Sequence, residues 1–439
     1  MSATPTHRRV PFPEGTLPVG LALLIAGIAT YAFFKIGNVA LGGDEAFKPI
    51  SDMWFATFAL APGFFLPLEQ ELGRALSHRH AKGEGGLPVV RRVVTLGVII
   101  TTSVLLFIVV FSPWIASHYF DGDWWMLAAL ATAFVAYAPA HLARGVCAGT
   151  GRFRSYAYVM GSDGVIRIVA CIGLAVIGIE SAAPYGFAVA LAPLVAVVVV
   201  GVRGDLTTQS GPAAEWGEVT QNLGWLLVGT FFAAGLLNAG PVAASILADE
   251  SQDELVTQFG YGVLLARIPL FLFQAVQAAL LPRLARLAAT GEFDEFRGGL
   301  TRLMQIVVAV GVVGTGGAFL IGPFVIETVY GADLSGKTLA MLALSSAIYM
   351  ACIATAQAVI ALRGHWLVAL GWAVGVGMFF LGTWLSSDQL FRRIVIGLVL
   401  SSSAALICFG LALKRQLALG TVPTRDSVMD AITDMPFES

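Results

Sequence analysis

Long apolar runs alternate with short polar breaks along this whole chain. A membrane-spanning helix needs about 20 consecutive, mostly apolar residues. By that measure the pattern predicts helices at about 17–41, 50–76, 93–117, 124–148, 156–178, 183–202, 220–247, 257–281, 301–329, 338–361, 366–385 and 394–413. The fold class is therefore all-α: a polytopic membrane protein of about 12 transmembrane helices. The first run is too long for the apolar core of a cleavable signal peptide, although Arg8 and Arg9 precede it. Residues 1–16, with three prolines, read as a cytoplasmic tail, and 416–439 as a second polar tail.

Composition agrees with the pattern. Hydrophobic residues make up 57% and charged residues 12% of the chain, and mean hydropathy is +0.80. A soluble domain carries about twice that charge fraction, so this chain cannot cover itself with a soluble surface. No basic domain or basic-aromatic stripe points to nucleic acid. Cys147, Cys171, Cys352 and Cys408 all sit in apolar stretches without metal-like spacing and read as core residues. No metal or cofactor is expected.

Charge placement gives an orientation. With the N-terminus in the cytoplasm and the helices alternating, 19 Lys and Arg fall inside and only Lys48, Lys337, Arg392 and Arg393 fall outside. That is the positive-inside bias of cytoplasmic-membrane proteins. The inside set includes Arg74, Arg79, Arg144, Arg152 and Arg203. Outer loops are acidic, as at Asp44-Glu45 and Asp121-Gly122-Asp123. Both termini are expected in the cytoplasm.

A repeat is also legible. Arg74 and Arg286 end the second and eighth predicted helices 212 positions apart; Arg152 and Arg363 follow the fourth and tenth 211 apart. A shared offset predicts two parallel six-helix lobes around a central cavity, an N-terminal one over 17–210 and a C-terminal one over 211–415. Their boundary falls in the polar stretch 203–219.

Three cations fall inside predicted spans: Lys35, Arg167 and Arg267. A charge at bilayer depth costs roughly 2.5–3.5 kcal/mol on insertion scales and usually faces a bundle interior or wet cavity. Each has a plainer reading. Lys35 can snorkel to the outer interface. Arg167 lies four residues after Asp163, on one helix face, and can pair with it. Arg267 can bond carbonyls freed by nearby Pro269. Taken together the three suit an anionic ligand, because guanidinium matches phosphate oxygens bidentately. Acids in or near spans are Asp52, Glu69, Glu71, Asp163 and Glu327. Asp163, Asp52 and Glu69 are the candidates for ion coupling, Asp163 foremost, since its protonation would release Arg167 for substrate. Pro62, Pro67, Pro139, Pro193, Pro241, Pro269 and Pro323 punctuate the spans and predict kinks.

One GxxxxGK[ST] pattern occurs, at Gly331–Thr338, but it lies in a short outer loop between two predicted spans with no strand before it, so it is not read as a nucleotide-binding loop. No HExxH occurs, transport would be driven by gradients, and no catalytic residue is named. One enzyme class fits a dozen spans: a glycosyltransferase using polyprenyl-linked sugars, with Asp44-Glu45 or Asp121 and Asp123 as outer-loop acids. The short outer loops count against it.

The sequence resembles the polysaccharide-lipid flippases of the multidrug/oligosaccharidyl-lipid/polysaccharide exporter superfamily. The resembling segments are Leu41–Phe47, Phe65–Arg74, Ala143–Arg152, Arg267–Phe271 and Leu281–Arg286. The resemblance implies two lobes around a cavity lined by cations, matched here by Lys35, Arg167 and Arg267. It implies flipping of a polyprenyl-diphosphate-linked oligosaccharide across the cytoplasmic membrane, for cell-surface polysaccharide biosynthesis, by a multi-pass secondary transporter. Membrane lipids and glycan-synthesis enzymes are the partners it implies. Two extra C-terminal helices, typical of peptidoglycan-precursor flippases, are absent. Drug exporters of the superfamily usually have acidic or aromatic cavities, whereas this chain has cations, which counts against the competing transport reading, a multidrug or small-solute antiporter of the same fold.

Overall fold

The computed structural model describes residues 16–220, 223–270, 273, 287–288, 291–362 and 364–419. Among them there is no strand, and fifteen α-helices run in chain order. The first seven are α1 (Thr16–Leu41), α2 (Asp44–Ala81), α3 (Leu87–Val110), α4 (Ser112–Tyr119), α5 (Trp124–Gly149), α6 (Phe153–Val176) and α7 (Ala182–Val202). After a linker come α8 (Gly217–Thr220), α9 (Leu223–Leu247), α10 (Asp253–Ala266), α11 (Phe293–Leu320), α12 (Gly322–Tyr330), α13 (Gly336–Ala361), α14 (His365–Leu385) and α15 (Leu390–Leu419). Among the described residues, ten helices are long and apolar enough to cross a membrane. The chain is a multi-pass membrane protein.

Most boundaries follow the hydrophobic pattern, and the differences have local causes. The second predicted helix begins at Asp44 instead of 50, so Lys48, expected in a loop, lies in α2 and is buried. Three carboxylates within 4 Å neutralise it, as described below. Two predicted spans are broken in two: α3 stops before α4, and α11 stops before α12. Each break precedes a proline, Pro113 and Pro323, in the first turn of the following short helix. Proline has no N–H to give the previous turn, but is at home at a helix start. The last helix continues to Leu419, into the stretch expected as tail. The predicted continuation to 281 of the helix beginning with α10, and the landmarks Arg286 and Arg363, lie outside the described residues.

The same pairs of helices pack in each half. In the first, α1 lies on α6, α3 on α5, α5 on α7 and α6 on α7; in the second, α9 lies on α14, α11 on α13, α13 on α15 and α14 on α15. Across the halves, α2 packs along α9 and α10. The α2–α9 contact is close: a Cβ on Gly63 would lie 2.8 Å from the Phe231 Cα, so a larger residue would separate the helices. The outer surface is apolar. Val98, Ile99, Leu106 and Phe107 are exposed on α3, and Val308, Val312 and Val313 on α11. Exposed apolar area on that scale belongs against lipid tails.

Candidate functional site

At the end of the molecule carrying the acidic loops, the halves are tied together by polar groups around the buried Lys48. The Lys48 Nζ lies 2.7 Å from Asp121, 3.3 Å from Asp253 at the start of α10 and 3.7 Å from Asp52. Ser245 of α9 donates to Asp52. The Asp44 carboxylate accepts from Tyr261 (2.8 Å) and Gln258 (3.3 Å) of α10, and from Asn38 of α1. Asp44 and Asp123, the acids of the enzyme reading, thus have structural work: Asp123 caps α5 by accepting from the Trp125 and Met126 amides. Asp52 belongs to this seam and does not line the cavity below it.

The cavity lies toward the other end, between α1, α2, α5 and α6 of the first half and α9 and α10 of the second. Its empty space is about 1340 Å³, open mouth included. Three arginines line it: Arg144, Arg167 and Arg267. All three are buried.

Arg167 stands one helical turn beyond Asp163 on α6. Its Nη2 donates to the Asp163 Oδ2 at 2.6 Å and to the Tyr137 hydroxyl at 3.4 Å. Its guanidinium lies over the Trp54 ring, 4.5 Å from the centroid. The pair expected from the spacing is present, yet incompletely satisfied: among the described residues the Asp163 Oδ1 and the Arg167 Nε have no hydrogen-bond partner.

Arg144 sits on α5, where a Cβ at neighbouring Gly145 would come within 2.8 Å of the Glu69 carbonyl oxygen. The glycine lets α5 approach α2 closely enough for Glu69 to reach across. Glu69 then accepts from Arg144 at 2.8 Å, from the Tyr156 hydroxyl at 2.9 Å, and lies 2.9 Å from the His141 Nδ1. Such a buried pair needs hydrogen bonds on its remaining lone pairs to offset desolvation, and Tyr156 and His141 supply them.

Arg267 differs from both. It follows the last residue of α10, and among the described residues it makes no ion pair. Its guanidinium donates to the Leu237 carbonyl of α9 and lies 5.7 Å from the Phe55 ring centroid. The reason is readable: Pro241, four residues after Leu237, has no N–H, so this carbonyl has lost its helical partner. A carbonyl freed by proline does hold Arg267, but the proline is Pro241 of another helix, not Pro269. The same device recurs beside it. Pro62 of α2 frees the Phe58 carbonyl, and Asn238 of α9 donates to it at 3.0 Å.

Of the predicted cations, then, Arg167 and Arg267 meet in one cavity. Lys35 is half-buried on α1 and is not among the lining residues. Arg144 takes the third place, although its position near a helix end reads from the sequence as a cytoplasmic anchor. A signal was available: His141 and Arg144 lie three apart, on one helix face of an apolar span. Asp163 lines the cavity, and Glu69 stands behind Arg144 and His141. Three arginines stand against two carboxylates, and among the described residues Arg267 is the one of the three without an acid. Among the described residues no group of His, Cys, Asp and Glu could hold a metal ion.

No family model matches the chain, and no curated protein matches it in sequence. Solved structures do. A multidrug resistance MATE family transporter of the MOP superfamily in its inward-facing conformation aligns with a TM-score of 0.71 at 12% identity, over 92% of this chain and 98% of that one. The outward-facing conformation of such a transporter aligns with 0.64 at 12% identity, over 92% and 96%. A Vibrio cholerae MATE transporter, VcmN, in its bent form aligns with 0.61 at 14% identity, over 92% and 98%. At these identities the likeness is one of architecture: the chain has the fold of the MATE transporters of the MOP superfamily.

Proposed function

We propose that this protein is a secondary transporter that moves an anionic, lipid-linked glycan, a polyprenyl-diphosphate oligosaccharide, across the cytoplasmic membrane. The observation that carries the reading is Arg267. It is a buried guanidinium facing a cavity between the halves, held by one carbonyl and, among the described residues, by no carboxylate. Charge-assisted bonds from guanidinium to phosphate oxygens are among the strongest available. Arg144 and Arg167 stand in the same cavity, each restrained by an acid that a diphosphate could replace. The halves 17–210 and 211–415 are the lobes that rock about it, and the acidic-loop end faces outward. The polar seam at that end closes the outside while the cavity takes cargo from the cytoplasmic side.

Asp163 is the coupling acid in this reading. Protonating it would release Arg167 to the cargo, and losing the proton would take Arg167 back. Glu69 plays the same part toward Arg144, with less access to the cavity. Asp52 acts only through the outer seam.

The drug-exporter reading has its own support in the Trp54, Phe58 and Tyr137 rings and the half-satisfied Asp163. A positive cavity repels a cationic drug, which weighs against it. Reconstituted vesicles with labelled polyprenyl-diphosphate oligosaccharide separate the two. Arg267→Ala should slow flipping at least about tenfold, the scale of one lost charged hydrogen bond, and Asp163→Asn should abolish its dependence on the ion gradient. Unchanged flipping in Arg267→Ala, or faster uptake of a cationic drug than of the glycan lipid, would sink the proposal.

A further inference from the structure

A second pocket lies in the other half, between α9, α13 and α14, with α2 contributing Gln70. We propose that it is a subsite for a sugar ring, binding the glycan part of the cargo while the arginine cavity holds the diphosphate. This deepens, and rests on, the reading of the cargo as a glycan lipid.

The chemistry of the walls narrows the ligand. Among the described residues no Lys, Arg, Asp or Glu lines the pocket, and His365 is its one imidazole, so a phosphate finds no guanidinium or ammonium there and a divalent cation no carboxylate. Two amides do line it, Gln70 from α2 and Gln357 from α13. Their residues are only 7% and 5% exposed, and the side-chain oxygen of each has no hydrogen-bond partner among the described residues. A buried polar atom left unpaired is unfavourable, so two of them in one pocket call for a ligand that can donate. A hydroxyl satisfies an amide whichever way the amide is turned, because it both donates and accepts. Trp372 is buried in the wall and Trp225 is half exposed. Indole faces suit the apolar C–H face of a sugar ring.

Position completes the case. Successive residues of two helices serve the two sites. On α2, Glu69 holds Arg144 and Gln70 faces the second pocket; on α9, Ala234 lines the cavity and Ala233 the pocket. Neighbouring helix residues point about 100° apart, so the sites flank the same pair of helices. A sugar joined directly to a diphosphate needs this kind of adjacency.

The test compares two ligands on the full-length protein in nanodiscs: polyprenyl diphosphate and polyprenyl-diphosphate N-acetylglucosamine. Wild type should bind the glycosylated lipid more tightly. Gln70→Leu with Gln357→Leu should weaken that ligand about tenfold, two neutral hydrogen bonds' worth, and leave the bare diphosphate unchanged. Equal weakening of both ligands, or a preference kept intact, overturns the subsite. So does a wild type without preference, which would mean that the pocket holds water only. Should the double variant fail to fold, free N-acetylglucosamine gives the answer in wild type: it must compete with the glycosylated lipid and not with the bare one. Arg267→Ala reports separately on the parent reading, since it should weaken both ligands; if it weakens neither, the cargo assignment falls whatever the amides do.

Discussion

The two halves build their inner pockets from corresponding helices and fill them with opposite chemistry. Both α5 with α13 and α6 with α14 begin 212 positions apart. At that offset Tyr137 meets Tyr349, but His141 meets Ile353, Arg144 meets Ala356, Asp163 meets Gly375 and Arg167 meets Phe379. Ile353 and Ala356 line the second pocket as His141 and Arg144 line the first. One scaffold therefore carries a buried ionic network in one half and a neutral, amide-bearing pocket in the other. The lesson is that packing is repeated where side-chain chemistry is not. Small residues and prolines set helix approach in both halves, while the charged side chains lining these pockets are confined to the first half and to Arg267 after α10.

The sharpest way to break this contrast is to remove one partner of the network. Arg144→Ala should cost about 3–5 kcal/mol, because Glu69 would stay buried without its cation; thermal unfolding in detergent should show the loss. Combining it with Glu69→Gln should recover most of it, and no recovery would mean that the pair is not coupled. Next in size is the converse change. Ala356→Arg puts the first half's charge in the second half, where no acid among the described residues lines the pocket, and should destabilise by roughly 2.5–3.5 kcal/mol. Equal stability to wild type would show that the halves differ by history and not by electrostatics.

The smallest effect concerns the contact between halves. Asn238→Ala removes the donor that satisfies the Phe58 carbonyl and should cost about 1–2 kcal/mol. In a Pro62→Ala background the cost should shrink, because the alanine introduced there supplies an N–H to the same carbonyl within α2. A double-mutant cycle reads this directly, and additive effects would refute the account of prolines as sources of free carbonyls.

Much of the molecule was legible in its sequence because lipid imposes a one-dimensional rule. Each span must satisfy its own backbone, so length and hydropathy alone locate the helices, from Thr16–Leu41 to Leu390–Leu419. The Asp163–Arg167 and Glu71–Arg74 pairs were equally visible, being local on one helix. Spacing could also flag Arg267 as a charge without a neighbour.

Tertiary structure decided which charges meet. Glu69 and Arg144 are 75 positions apart and come together only because Gly145 lets α5 settle on α2. The Leu237 carbonyl and Arg267 meet because a proline on one helix creates an acceptor that another helix must satisfy. Lys48 is drawn into α2 by Asp121 and Asp253, which arrive from far along the chain. Hydrophobic periodicity carries no information on such pairings, since it fixes how a helix faces lipid and not which helix it faces. The sequence by itself thus determined an apolar, helical, charge-sparing membrane protein with a few costly cations. The fold decided that Arg144, not Lys35, joins Arg167 and Arg267, because a buried charge persists where three-dimensional neighbours offset its desolvation.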